Sequence, residues 1–504
     1  MDDSNKLNRR EFLTSAAASV AAFSIVPSHV LAGSGRIPPS DQINIANIGC
    51  GTQGLREMGS MLENPKLRIT AVCDVNKFTT DYIDWSPFGL RSNIREFLGD
   101  NTWWENVPGI PGGRDAGQEY VEKYYAKNNR SGNYNGCASY EDYRELLEKE
   151  SGIDAIKIMT PDHTHAQIAI DAMDKGIHVV THKPIANRLL EGRKVIEKAE
   201  KSGVITHLLA WSDWPEHKQI KAWLDEGLIG ELKEIHNWSN RPVWEQWTKR
   251  PEESVPVPEG FNWELWLGPV PDMPFHPNYT HNVFRGWYDF GGGSVADMGH
   301  YSLFPLFETL GITKSPTSVR AYGTTNREEV DQVYQWVEND AAFPASCMIR
   351  WKFPEQRTLP AFDLFWYDGG MKPFAPEELE TDGRDIPDEG LMFVGTKGKI
   401  LGGFMGNNPE LIPEKRMADR PESEKINSSE IERNRDAWMD AIYESKQTPG
   451  SFLRAQTITD TMNLGAVALR AGTLIEFDPD GAKITNNSDA NKYLTREYRA
   501  GWEM

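Results

Sequence analysis

The stretch INIANIGCGTQG, residues 43–54, runs a short apolar strand into a Gly49-x-Gly51-x-x-Gly54 turn, and the amphipathic segment LREMGSMLENP continues from its last glycine. Glycines in such a turn let backbone N–H groups approach a pyrophosphate at the positive end of the helix they open. Thr52 and Gln53 lie inside the turn. LRITAVCD reads as a second strand, and Asp74 closes it 20 residues after Gly54. A carboxylate there accepts hydrogen bonds from an adenosine ribose and repels a 2′-phosphate, so the spacing predicts NAD in preference to NADP. An ordinary glycine-rich loop requires neither the flanking strand and helix nor the spaced acid.

The alternation continues after an interruption. Residues 81 to about 135 break it with DWSPFGL, NTWWENVPGIPGGRD and NNRSGNYNG around a helical patch, QEYVEKYYAK, and read as an insertion. SYEDYRELLEKE, IDAIKIMTP, HAQIAIDAMDKG and HVVTHKP then restore the rhythm of helix and strand. Such a rhythm implies a doubly wound parallel sheet covered on both faces. Further on, EGRKVIEKAEKSG and HKQIKAWLDEGLIG read as helices, VITHLLAW, SVRAYGTT and ASCMIRWKF as strands, and DAWMDAIYES as a helix packing back.

A chain of 504 residues with 39% hydrophobic content can bury two cores. Its net charge of −20 argues against a nucleic-acid phosphate surface and for a small-molecule partner. Cys50, Cys73, Cys137 and Cys347 form no C-x-x-C pair, so neither a zinc site nor a disulfide framework is indicated. At the start of the chain, Arg9 and Arg10 precede Phe12, Leu13 and a weakly apolar run of small residues ending at Ala32. This resembles a twin-arginine export signal over residues 1–32, which predicts a periplasmic mature protein carried out already folded. No other stretch approaches a membrane span.

The set INIANIGCGTQG, VCDVN, TPDHTH, HVVTHKP and GGGSVADMGHYSLF, in that order, resembles the Gfo/Idh/MocA family of sugar and cyclitol oxidoreductases. WSNRPVW, NWELWLGP, FRGWYDFGGG and NKYLTREYRAGW are similar to its secreted, twin-arginine branch. The resemblance implies an α/β fold: a Rossmann domain over residues 33–184, then a substrate and oligomerisation domain over 185–504. The second domain is expected to be α+β, with a large open, mainly antiparallel sheet, in a homo-oligomer, dimer or tetramer. It also implies that Thr160, Pro161 and His165 border the cofactor.

Oxidising a sugar alcohol removes a hydroxyl proton along with the hydride, so the site needs a base or proton relay beside the reacting carbon. By resemblance, Lys183 of His182-Lys183-Pro184 lies near both nicotinamide and the reacting hydroxyl. His182 replaces the family's usual glutamate there, which removes an anion and favours a lower Lys183 pKa. In GGGSVADMGHYSLF, Asp297, His300 and Tyr301 fall within one turn at the opening of a predicted helix and can converge on one ligand. Many family members carry histidine where Tyr301 stands; the glucose–fructose oxidoreductase and dihydrodiol dehydrogenase branches carry tyrosine. Asp297 is expected to orient substrate hydroxyls, with Tyr301 or His300 relaying the proton. Arg285 and Tyr288, just before the glycine run, are the candidates for the substrate rim. Of the tryptophans between 211 and 288, two or three are expected to line the pocket. Asp162, His163 and His165 invite a metal reading, but their spacing spreads the side chains apart and no further ligand pattern follows, so no metal is expected.

These residues fit three functions. One is an oxidoreductase with hydride transfer from a sugar to tightly bound NAD. A second is an NAD-retaining enzyme that cleaves glycosides by transient oxidation, elimination and re-reduction. The third is a sugar-binding protein without catalysis. An exported enzyme with no dinucleotide pool to draw on is expected to carry its cofactor out bound and to regenerate it within its own cycle.

Overall fold

The structure, a computed structural model, describes residues 41–86, 88–127, 134–418, 420, 428 and 436–504. The leader expected at residues 1–32 lies outside the described residues.

Six strands form the first sheet: β1 (Ile43–Ile48), β2 (Leu67–Cys73), β3 (Ala138–Tyr140), β4 (Ala155–Ile158), β5 (His178–Thr181) and β6 (Thr206–Leu208). They pair in parallel in the order β3-β2-β1-β4-β5-β6. The order reverses between β1 and β4, and loops leaving the carboxyl ends of these strands open a crevice there. All four residues of β4 are buried, as both faces of a parallel sheet require. Helix Thr52–Glu63 buries Leu55, Met58, Met61 and Leu62, one stripe of its surface, against this sheet.

The sixth strand corrects the expected domain boundary. VITHLLAW does form a strand, but Thr206–Leu208 pairs in parallel with β5 and completes the first sheet, beyond residue 184. The insertion is built onto the same domain. Its helices, Gly89–Leu98 and Arg114–Lys127, bury Leu90, Ile94, Tyr120 and Val121 in one core with Leu55 and Val72.

The second sheet uses β7 (Leu232–Trp238), β8 (Ser318–Gly323), β11 (Cys347–Phe353), β12 (Phe362–Tyr367), β13 (Gly390–Gly395), β14 (Lys399–Gly403), β15 (Glu410–Ile412), β16 (Ile475–Asp478) and β17 (Lys483–Ile484). Strands β9 (Asn326–Val330) and β10 (Val333–Val337) form a separate hairpin. The order is β15-β14-β13-β7-β12-β11-β8-β16-β17, antiparallel except where β7 pairs with β12. Along β11 the residues alternate, with Cys347, Ile349, Trp351 and Phe353 buried and Met348, Arg350 and Lys352 exposed. The inner face packs on helices Gly293–Leu310 and Gln456–Ala471, so the first of these stands between the open sheet and the Rossmann crevice. Among the described residues, no helix is long and apolar enough to cross a membrane.

Candidate active site

Gly49, Gly51, Thr52, Gln53, Gly54, Asp74, Thr160, Pro161 and Lys183 line one cleft of about 920 Å³ with Arg285, Asp297 and Tyr301. The glycine turn is steric in origin. Gly49 has φ +101°, and a Cβ there would meet the Met159 carbonyl oxygen at 2.5 Å; a Cβ on Gly54 would run into the carbonyl oxygen of Gly49. No side chain caps helix Thr52–Glu63, and no acid stands in its first turn, which leaves the positive end of the helix to the cleft. The Asp74 carboxylate accepts the backbone N–H groups of Cys50 at 2.7 Å and Asn76 at 2.8 Å, tying the turn to the end of β2. Burial raises its pKa, and those two bonds and Arg114 oppose the rise. An uncapped helix end, a turn stripped of Cβ atoms and a carboxylate at the neighbouring strand end fit a dinucleotide's pyrophosphate and ribose.

Across the cleft, helix Gly293–Leu310 presents Asp297, Met298 and Tyr301 on one face. Lys183 is buried at the end of β5, and its Nζ donates to Oδ1 of Asp297. Arg285 Nε stands 3.1 Å from the same oxygen. Burial alone would raise the Asp297 pKa, but Lys183 and then Arg285 hold it well below the usual carboxylate range. Burial pushes Lys183 downward; Asp297 resists and Arg285 reinforces the fall. The Lys183 ammonium also lies 4.7 Å from the centroid of the Tyr301 ring.

The Tyr301 hydroxyl is hydrogen-bonded to His182 Nε2 at 2.9 Å. Behind it, Glu57 Oε1 is 4.0 Å from the same nitrogen, and Glu57 Oε2 is 3.0 Å from Nζ of the buried Lys157. Burial would raise Glu57, yet Lys157 and His182 hold it down to about 2. His182 falls to about 3 through burial and the adjacent Lys183, so it is neutral at ordinary pH. Glu57 therefore returns the anion that His182 removed from the strand end. Sequence reasoning missed both Glu57 and Lys157, although a lysine in the middle of the apolar strand AIKI was a readable sign of a buried partner.

Several expected site residues turn elsewhere. His300 stands one residue before Tyr301, about 100° away around the helix, and faces inward: it is fully buried, with Nδ1 2.7 Å from the Ala296 carbonyl oxygen, and does not line the cleft. Of that pair, Tyr301 is the one that lines the cleft. Tyr288 is buried against Phe343, with ring centroids 4.2 Å apart, rather than at the substrate rim. His165 bonds the carbonyl oxygens of Pro184 at 2.6 Å and Thr160 at 2.8 Å, so it holds the cofactor-facing loops from behind instead of touching the cleft. Asp162 accepts the Gly292 N–H at 3.1 Å, and His163 bonds the Trp266 carbonyl oxygen at 2.7 Å. TPDHTH thereby ties the two domains together through Asp162 and His163, which bond backbone groups of Gly292, Phe290 and Trp266.

Four of the tryptophans between 211 and 288 line the cleft: Trp211, Trp214, Trp244 and Trp266. Two unexpected ones join them, Trp85 from the insertion and Trp502 from the distant segment 495–504. Trp502 is 6% exposed, with the Arg144 guanidinium 4.4 Å from its ring. Arg496 pairs with Glu191 at 2.5 Å, and Arg499 Nε donates to the Gly268 carbonyl oxygen at 3.1 Å, fixing the segment to helix Leu189–Ser202 and to the chain at Gly268.

Residues 117–209 match the family model described as "Oxidoreductase family, NAD-binding Rossmann fold". Residues 216–358 and 377–504, more than half of the chain, match its companion, "Oxidoreductase family, C-terminal alpha/beta domain". The levoglucosan dehydrogenase of Pseudarthrobacter phenanthrenivorans is 32% identical over 111 residues, 21% of this chain and 28% of that protein. A glycosyl hydrolase family 109 protein of Shewanella pealeana is 24% identical over 242 residues, 45% of this chain and 44% of that protein. The first of the curated relatives are thus matched over about a quarter of their length. Among solved structures, the WlbA dehydrogenase of Bordetella pertussis in complex with NADH and UDP-GlcNAcA shares the fold, at a TM-score of 0.50 and 14% identity, over 87% of this chain and 99% of that one. By its two matched domains, the chain belongs to the Gfo/Idh/MocA oxidoreductase family, with an NAD-binding Rossmann fold followed by an α/β domain.

Proposed function

We propose that the protein oxidises a secondary hydroxyl of a sugar or sugar derivative. The observation that carries this reading is the convergence of Lys183, Arg285 and Asp297 with the Tyr301–His182 pair, directly across the cleft from the glycine turn. When bound along the glycine turn and Asp74, nicotinamide dinucleotide supplies the hydride acceptor. Asp297, kept ionised by Lys183 and Arg285, accepts a sugar hydroxyl and fixes the ring's orientation. Lys183, anchored to Asp297, offers its remaining N–H donors to the reacting oxygen. As the hydroxyl proton leaves for the Tyr301 oxygen, the phenol proton passes to His182 Nε2, and Glu57 stabilises the imidazolium that forms.

In this reading the dinucleotide is NAD rather than NADP, since the Asp74 carboxylate would face a 2′-phosphate. It is also held tightly. Trp502, strapped down by Arg496 and Arg499, walls the cleft beside Asp74 and Tyr143 and supports retention of an adenine there. Retention suits a protein exported folded through a twin-arginine signal to the periplasm, where a homo-oligomer of two or four chains would act. Denaturing untreated protein should release near-stoichiometric NAD. An empty protein with weak affinity would overturn this part of the proposal.

The similarity to a glycosyl hydrolase family 109 protein favours a second reading. Transient oxidation acidifies the neighbouring C–H, elimination expels the aglycone, water adds, and hydride returns to the sugar. Purified protein without added cofactor, incubated with aryl glycosides and with free sugars, separates the two. Aglycone release over many turnovers selects the second; reduced nicotinamide accumulating with free sugars selects the first.

A further inference from the structure

We propose that the sugar taken by this cleft carries a carboxylate, received at the mouth by Arg241; the inference rests on the oxidoreductase reading above and names its substrate class. Four lysines and arginines line the cleft: Arg56, Lys183, Arg241 and Arg285. Arg56 pairs with Asp84, and both Lys183 and Arg285 pair with Asp297. Arg241 has no carboxylate partner among the described residues. Its guanidinium instead lies 4.6 Å from the ring centroid of Trp85.

That arrangement prepares a binding edge. Stacking on an indole fixes the plane of the guanidinium and leaves its in-plane N–H fork free, the geometry that matches a planar carboxylate with two parallel hydrogen bonds. Trp85 is 70% exposed, a large apolar face left open at a cleft mouth, where a pyranose ring can cover it. The charge balance points the same way. Two cations already share Asp297, and Arg241 adds a third to the field on that carboxylate; even with the buried Asp162 behind Arg285, three cations face two carboxylates, so the substrate end is locally positive within a chain of net charge −20. At physiological ionic strength the distant negative charges are screened within roughly 8 Å, and the nearby cations dominate what an incoming anion meets. A single planar fork with no uncommitted lysine beside it suits a carboxylate monoanion better than a phosphate dianion.

The test compares methyl glucuronide, methyl glucoside and glucose 6-phosphate with the dinucleotide-loaded protein and its Arg241→Met variant. Both calorimetric binding and reduction of the bound nicotinamide are read. The expected result is a preference for the uronide over the glucoside by roughly tenfold to hundredfold, which collapses in Arg241→Met while the variant keeps its bound dinucleotide. No preference in the parent, a preference that survives the substitution, or a stronger preference for the phosphate would overturn the inference. Loss of dinucleotide from the variant with the sugar preference intact would also overturn it, by assigning Arg241 to the cofactor. If no sugar reduces the nicotinamide, the oxidoreductase reading fails, and the binding comparison still decides whether Arg241 receives a carboxylate.

Discussion

The hydroxyl of Tyr301 and Nε2 of His182 stand 2.9 Å apart, joining the third turn of helix Gly293–Leu310 in the second domain to the strand end that carries Lys183. In the Nδ1–H tautomer of neutral His182, Nε2 is the acceptor and the Tyr301 hydroxyl donates to it. Replacing His182 by Gln keeps a hydrogen-bonding partner for Tyr301 but leaves nothing to take the proton. The expected result is a fall in kcat of about a hundredfold with the bound dinucleotide unchanged, measured by single-turnover reduction and dinucleotide content. An unchanged kcat would remove His182 from the proton path.

Trp502→Ala tests the retention of the cofactor. Stacking of a base on an aromatic ring contributes about 1–3 kcal/mol, so dissociation of NAD should speed up by roughly tenfold to a hundredfold. The fold should persist, because the Arg496–Glu191 pair and the hydrogen bond from Arg499 to the Gly268 carbonyl oxygen do not involve the indole. Release rates are read by trapping free dinucleotide with a second enzyme. An unaltered rate would show that Trp502 fills space without touching the adenine.

Acid should destabilise the protein before its carboxylates titrate. Burial pulls His163, His182, His207 and His300 down to about 3 and His281 to about 4. A folded pKa below the unfolded value means that the unfolded chain binds the extra proton, so stability is full above an unfolded pKa of about 6.5 and falls as pH drops below it. Each histidine contributes a slope of about 1.4 kcal/mol per pH unit across its window. Asp74, Asp162 and Asp368, raised by burial, act in the opposite sense at lower pH. Thermal unfolding should be nearly flat above about pH 7 and lose midpoint steadily from about 6.5 downward. A midpoint constant to about pH 5 would contradict neutral burial of these rings.

The elements were legible where periodicity and spacing act locally. The glycine turn, Asp74, the parallel rhythm and the alternating strand β11 all follow from short-range pattern, as do Lys183 and the Asp297–Tyr301 face. What escaped the sequence depends on contacts between distant segments. Glu57 meets His182 across 125 positions, and Trp502 reaches a cleft built mainly by the first two hundred residues. His300 and Tyr301 are adjacent in sequence and could not be separated until the packing of helix Gly293–Leu310 set which face looks into the cleft. His165 and Tyr288 sit in the right motifs but point behind the site, because their polar atoms or rings are needed to hold the loops. The boundary at residue 184 failed for a related reason: β6 follows Lys183 in sequence yet completes the earlier sheet.

In the proposed reaction Lys183 stands between Asp297 and the reacting hydroxyl, and single-turnover reduction of bound nicotinamide tests that placement most directly. Parent protein and Lys183→Met, each carrying its dinucleotide, are mixed with a panel of neutral and acidic sugars, and absorbance of the reduced nicotinamide is followed. The expected result is reduction by the parent with at least one sugar and a rate about a hundredfold to ten-thousandfold lower in the variant, with dinucleotide still bound. Equal rates in the two proteins, or no reduction of a fully loaded parent by any sugar of the panel, would contradict it.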